Sequence, residues 1–515
     1  MPFIGSFVRA CAVLMLAALF AGSLGVSSAE ARWLRAESER FVVYSEGGAD
    51  QLTTFTRKLE TFDRLLRWRM GLSETEPPLR KLTIYLVDGA AGINAVAPGA
   101  GSAGVGGFYR SDRDDIFAVA IRGGMGDDIL LHEYAHHFMM QYFPYGYPAW
   151  FIEGFAEYFA TAEIRPDSII VGKYNRNRAE WLRLSPWLPT RELLTKRASQ
   201  VSRRQETYYP VAWLLTHWFM GNEERHAQLN AYLLDVGAGG NGSDAMTRAT
   251  GLSHRQLRAE LRRYMGRLPY FEIRNRFPQA EVTITQMPAW ADDLLLLSVR
   301  FTREVADNRK AAEIAEARRA AARYPDEPFA RVMLGNAELK FGDAAVGQAI
   351  LRDVIARDPS NLEAHVRLAS YLLGQAEKDE AGRMALKAQA QTLLAQAYRL
   401  DDADYRIFLL LSEVRQGVAG YPNENDIATL ELALTLAPQV DDARLWLAEA
   451  YLAAGRNEDA ITTARALAND PHGGEGATRA QAVINRARGL TDEQARAEEA
   501  AADAAGTGGD EDGED

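Results

Sequence analysis

From about Pro288 onward two pairs of prolines share nearly the same spacing, and this period constrains the fold more than any other feature. Pro325 and Pro359 lie 34 residues apart, and Pro438 and Pro471 lie 33 apart. Pro325, Pro359 and Pro438 each come shortly before an amphipathic stretch, over 330–341, 363–373 and 443–453. Glycine-bearing turns follow the first and last of these, Phe341-Gly342-Asp343 and Ala454-Gly455-Arg456. A unit of this length cannot bury its apolar face alone, so neighbouring units must stack. Alanine, leucine and arginine dominate and strand signals vanish, which predicts an all-α array. The stretch between Gly374 and Asp426 breaks the period and reads as irregular, with one lengthened helix in it.

Leu334-Gly335, Ala337 and Asp358-Pro359 occupy the small packing positions and the closing proline of a known repeat, and the region resembles tetratricopeptide repeats. Most of that family's aromatic positions are missing. The resemblance implies a solenoid of helix pairs with a concave surface able to hold a protein partner.

Before Pro288 strands and helices mix. Phe41–Tyr44, Leu82–Val87 and Ile116–Ile121 are β-branched or aromatic runs and read as strands. Gln51 to Gly71 has helical periodicity and ends on glycine. Gly89 to Gly107 is dense in glycine and alanine and reads as a long loop. Its Gly101–Gly107 part lacks the lysine and the following helix of a phosphate loop. Helices dominate from Asp127. Strands first and helices after predict an α+β domain.

The N-terminal 31 residues read as a signal peptide. Arg9 supplies charge, Cys11–Gly22 is an apolar run too short to span a bilayer comfortably, and Ala29-Glu30-Ala31 fits a cleavage site. Removal would take away Cys11, the one cysteine. A disulfide-free exported chain suits a bacterial periplasm, and periplasmic or secreted localisation is expected. The net charge of −12 is concentrated at one end, because residues 491–515 hold ten acids and one arginine. That tail reads as acidic and disordered. The near-neutral remainder leaves no basic footprint for nucleic acid, and no later run is apolar enough for an integral membrane segment.

The chemistry lies in Leu131-His132-Glu133-Tyr134-Ala135-His136. Residues four apart share one face of a helix, about 5–6 Å between Cβ atoms. His132 and His136 can therefore direct nitrogens at one ion, while Glu133 reaches a water on it. Ile129, Leu130, Ala135, Phe138 and Met139 make the motif's helix apolar. Zinc needs a third protein ligand and an open position. Downstream, Phe143–Pro148 breaks the helix, and Trp150-Phe151-Ile152-Glu153-Gly154-Phe155-Ala156-Glu157 starts another. Two carboxylates in so apolar a helix are costly to bury unless paired or metal-bound.

HEYAH followed by WFIEGFAEYF resembles the gluzincin zinc metallopeptidases, closest to the small bacterial peptidase-MA-like proteins with an EGxAE helix. The likeness is strong over 132–220 and weak elsewhere in the first domain. It implies Zn2+ on His132, His136 and Glu153. Glu133 would be the catalytic base that assists attack of zinc-bound water on a peptide bond. Glu157 would orient a ligand histidine. Tyr209, with Tyr208 as rival, would donate to the oxyanion from the family's tyrosine-bearing helix. His217 lies on roughly the same face as Tyr209 and is a third candidate donor to the oxyanion, though it suits a packed core position better. His137 points elsewhere, and His226, His254, His365 and His472 read as ordinary surface or packing residues. Gluzincins commonly bind substrate along an edge strand, for which Ile116–Ile121 is a candidate. A GAMEN-type motif is absent, so endo- and exopeptidase action stay open.

The expected organisation is a signal peptide (1–31), an α+β zincin-like peptidase domain (32–287), an all-α tetratricopeptide-like solenoid (288–490) and an acidic tail (491–515). The partners expected are a peptide or protein substrate and a protein on the repeats. Two other readings compete. One is a non-catalytic or weakly catalytic binding scaffold acting through the repeats. The other is a zinc hydrolase of a non-peptide bond.

Overall fold

A computed structural model describes residues 32–491 and 493–497. The expected signal peptide and nearly all of the acidic tail lie outside the described residues. The chain is mostly helical, with a small sheet near its N-terminal end.

Six strands form the main sheet: β1 (Trp33–Glu37), β2 (Phe41–Glu46), β3 (Leu82–Val87), β4 (Gly107–Ser111), β5 (Ile116–Ile121) and β9 (Thr283–Gln286), in the order β4-β5-β3-β2-β1-β9. β3 runs parallel to both β2 and β5, and the outer pairs are antiparallel. Between β2 and β3 runs α1 (Ala49–Arg69), and after β3 comes α2 (Gly89–Val96). Helices thus alternate with strands here, where segregation of strands before helices was expected. Parallel strands need crossovers, and the crossovers are these helices.

The stretch read as a loop from Gly89 to Gly107 therefore holds α2 and the start of β4. Ile93 and Val96 are buried against the sheet. A Cβ on Gly92 would overlap the Val87 side chain, so the glycine admits close helix–strand packing rather than marking a loop. The candidate edge strand is also corrected. β5 lies between β3 and β4, and β4 is the edge.

Period-two alternation sends the strands' side chains to two cores. Val43, Ile84, Leu86, Ala118 and Ala120 face α1 and α3 (Met125–Tyr142). Tyr85, Val87, Phe117 and Val119 face α2 and α11 (Ala291–Arg300), a helix past the composition change at Pro288. α4 (Ala149–Ala160), α5 (Arg176–Leu184), α6 (Thr190–Thr195), α7 (Tyr208–Met220), α8 (Glu223–Gly237), α9 (Gly242–Thr250) and α10 (His254–Met265) complete the first region. A three-stranded antiparallel sheet joins β6 (Glu163–Ile164), β7 (Ser168–Val171) and β8 (Phe271–Arg274).

Successive antiparallel helices then stack from α12 (Asp307–Ala321) to α21 (Glu475–Ala487). Their array bends back onto the first region. Tyr405, Phe408, Leu409, Ala437 and Val440 share a core with α3 and α4. The Tyr405 hydroxyl donates to the Asp112 carbonyl at 2.7 Å, and Lys340 pairs with Asp114 at 2.9 Å.

Candidate metal centre

α3 carries His132, Glu133 and His136. Leu130, Leu131, Tyr134, Ala135 and Phe138 bury its other faces, and the Tyr134 hydroxyl donates to Asp63 of α1 at 2.7 Å. Pro148, which cannot continue a helix inward, opens α4. Trp150, Phe151, Phe155 and Phe159 sink α4 into the core. A Cβ on Gly154 would overlap the Thr216 hydroxyl and the Ala212 carbonyl, so only glycine lets α4 lie this close to α7. That approach fixes the neighbouring Glu153.

Three side chains converge. His132 Nε2 and His136 Nε2 are 3.1 Å apart, and each is 3.5 Å from Glu153 Oε2. A tetrahedral zinc with bonds of about 2.0–2.1 Å sets its ligand atoms about 3.3 Å apart. The three separations bracket that edge. Glu153 is 1% exposed, and among the described residues neither of its oxygens has a hydrogen-bond partner. An ionised carboxylate left so is costly. Burial would raise its pKa, but His136 and His132 outweigh burial and hold the carboxyl well below the usual range. Burial would likewise lower His136, and Glu153 outweighs it and lifts the imidazole. The set of two imidazoles and one carboxylate, all drawn to one point, fits a zinc-type ion.

Glu157, one turn along α4, stands 3.6 Å from His132 Nδ1. It is held mainly by Arg178, whose Nε and Nη2 donate to its two oxygens at 2.8 and 2.5 Å. Arg178 was missed from the sequence. It sits early in α5, whose N-cap Asn175 accepts its backbone N–H at 3.1 Å, and only the fold brings that turn to the centre.

The two tyrosines of α7 part company. Tyr208 is fully buried and its hydroxyl donates to the Lys196 carbonyl at 2.9 Å. Tyr209 is half-buried with the Arg178 guanidinium 5.6 Å from its ring centre. Burial, then the charges of Glu153, Glu157 and Glu133, push the Tyr209 hydroxyl up to about 12. The Tyr208 hydroxyl is thus committed to the backbone, while the Tyr209 ring stands beside Arg178, the partner of Glu157. His217 is a core residue, its Nε2 2.8 Å from the Gly172 carbonyl and its Nδ1 2.8 Å from the Tyr264 hydroxyl. His137 packs on Tyr134 with Nδ1 2.9 Å from the Tyr109 hydroxyl, away from the ligand cluster. His472 lies at the surface as expected, but it is not isolated. Its Nε2 lies 3.6 Å from Glu153 Oε1. The fold, not any local signal, carries it there.

A tetratricopeptide-repeat family matches residues 427–484. Among solved structures, a thermophilic tetratricopeptide-repeat protein of Thermus thermophilus is 24% identical, covering 38% of this chain and 99% of its own, with a TM-score of 0.33. A double mutant of MamA RS-1 is 18% identical, covering 39% of this chain and 97% of its own, with a TM-score of 0.26. No curated protein matches. The helical region carries tetratricopeptide-like repeats, and such repeats commonly mediate binding between proteins.

Proposed function

We propose that this chain is a zinc-dependent metallopeptidase of the gluzincin kind, exported, with helical repeats that hold its substrate or a partner protein. The observation that carries the reading is Glu153, a buried carboxylate with no hydrogen-bond partner among the described residues, facing two imidazoles. His132, His136 and Glu153 would hold the ion. A bound zinc lowers the pKa of water and polarises a carbonyl. Glu133 takes a proton from the attacking water and delivers it to the leaving amine. Tyr209 donates to the oxygen on which charge develops. Arg178, through Glu157, keeps the His132 ring turned towards Glu153.

The test measures zinc per chain and cleavage of an unstructured protein together. We expect about one zinc in the wild type, lost in His136→Ala and Glu153→Ala. Glu133→Gln should keep the ion and lose activity on the order of 10²–10⁴-fold. A wild type that takes no zinc after reconstitution sinks the reading. A zinc-loaded chain that cleaves no peptide but another amide moves the substrate class.

The family match favours a second reading, a binding scaffold that acts through its repeats. Partner capture that survives Glu133→Gln at full strength, with no cleavage by the wild type, would select it.

A further inference from the structure

His472 lies in the helical region, on the turn between α20 (Asn457–Ala468) and α21. Its Nε2 approaches Glu153 Oε1. The other oxygen, Oε2, is the one that faces His132 and His136. The His472 ring also meets the His136 ring edge-on, with centres 6.2 Å apart. A carboxylate that gives one oxygen to an ion has a second oxygen to satisfy, and here that oxygen is buried without a hydrogen-bond partner.

The turn that presents His472 is built rather than loose. Asp470 Oδ1 accepts the backbone N–H groups of His472 and Gly473 at 2.7 and 3.1 Å. Gly473 and Gly474 both take positive φ, 71° and 94°, which lets the chain double back after the histidine. Two bonds tie the turn to the first region. Asn469 Nδ2 donates to the Gly146 carbonyl at 2.9 Å, and the Arg197 guanidinium donates to the Ala468 carbonyl. Gly146 belongs to the segment joining α3 to α4, so the anchor grips the link between the two ligand-bearing helices.

We propose that His472 is a positioning residue of the metal centre, donating from Nε2 to the outer oxygen of Glu153 and leaving Oε2 to the ion. This rests on the reading of His132, His136 and Glu153 as ligands. At 3.6 Å the two atoms are within ion-pair range and just past hydrogen-bond reach. The helical region then completes a centre that the first region begins. Whatever displaces the turn loosens the ion, so a protein bound on the repeats has a direct mechanical route to the chemistry. The His472 side chain is 67% exposed, so its replacement leaves the core intact.

The experiment uses the full chain. Zn2+ affinity is measured by competition with a chelator, and the ligand field by the visible absorption of the Co2+-loaded protein. The variants are His472→Ala, His472→Gln and the double variant Asn469→Ala/Arg197→Ala. We expect His472→Ala to weaken Zn2+ binding on the order of 10–100-fold and to shift the Co2+ bands. His472→Gln, which keeps a donor, should restore most of the affinity. The double variant should lose affinity with His472 still present. Unchanged affinity and an unchanged Co2+ spectrum in His472→Ala would overturn the proposal and leave the metal reading standing. A wild type that binds neither ion would overturn the metal reading itself.

Discussion

Two buried acids of this molecule, Asp404 in the helical array and Glu153 in the first region, are held in opposite ways. In the helical array, Arg406 and Asp404 are both nearly inaccessible, and Arg406 donates to both Asp404 oxygens at 2.6–3.0 Å and to Glu363 at 2.6 Å. Glu338 likewise accepts from Arg318 at 2.6 and 2.8 Å and from the Asp343 backbone at 2.9 Å. In the first region Glu153 is as deeply buried, yet both of its oxygens lack a hydrogen bond. A protein that satisfies its structural acids this fully has the means to satisfy Glu153. The contrast teaches where to test: a buried acid facing imidazoles, rather than an arginine, is the arrangement the proposed metal centre requires.

The largest effect that sharpens this contrast is expected in the array. Arg406→Ala strips the buried Asp404 of its charge partner and should cost about 3–5 kcal/mol in urea unfolding. A loss well below that would mean that paired charge in the array matters less than its geometry suggests. The Glu153 side of the contrast is tested by chelation. With the ion at about 100 times its Kd, binding adds about 2.7 kcal/mol to stability. Chelator should therefore lower the unfolding midpoint of the wild type and leave Glu153→Ala unmoved. Equal response of the two proteins would break the comparison, because Glu153 would then carry no ion.

How much of this was legible beforehand follows the same division. The helices bearing His132, His136, Glu153 and Glu157 announce themselves because spacing and apolar neighbours are local properties. The repeat period is local too, and the family match falls within it. What stayed hidden depends on the fold's return on itself. β1 and β9 exist as a pair because chain segments far apart in sequence meet, and α2 forms because Ile93 and Val96 find the sheet's second face. Arg178 and His472 each look like a surface residue until α5 and the α20–α21 turn are brought against α4. Composition misled at Gly89–Gly107, where small residues serve close packing rather than flexibility.

His217 is the middle case, a titratable group buried with neither an ion pair nor a role at the centre, and it gives the smallest predicted effect. It is 2% exposed, with both ring nitrogens in hydrogen bonds. Burial lowers its pKa from 6.5 despite the Gly172 carbonyl, so the folded chain holds the ring neutral where the unfolded chain has begun to take up a proton. Its contribution to stability is therefore full above pH 6.5 and is lost as the pH falls from there through the lowered folded value. One proton of difference sets a slope of at most about 1.4 kcal/mol per pH unit. His217→Gln, which cannot titrate and still offers a donor to Gly172, should remove that slope. The measurement is the difference in unfolding free energy between the two proteins across this range, with chelator present so that ion loss does not contribute. A difference independent of pH would show that His217 takes up its proton as readily in the folded chain as in the unfolded one. A buried charge in the first region would then be tolerated without either an acid or an ion beside it, and the contrast with the array would fail at its foundation.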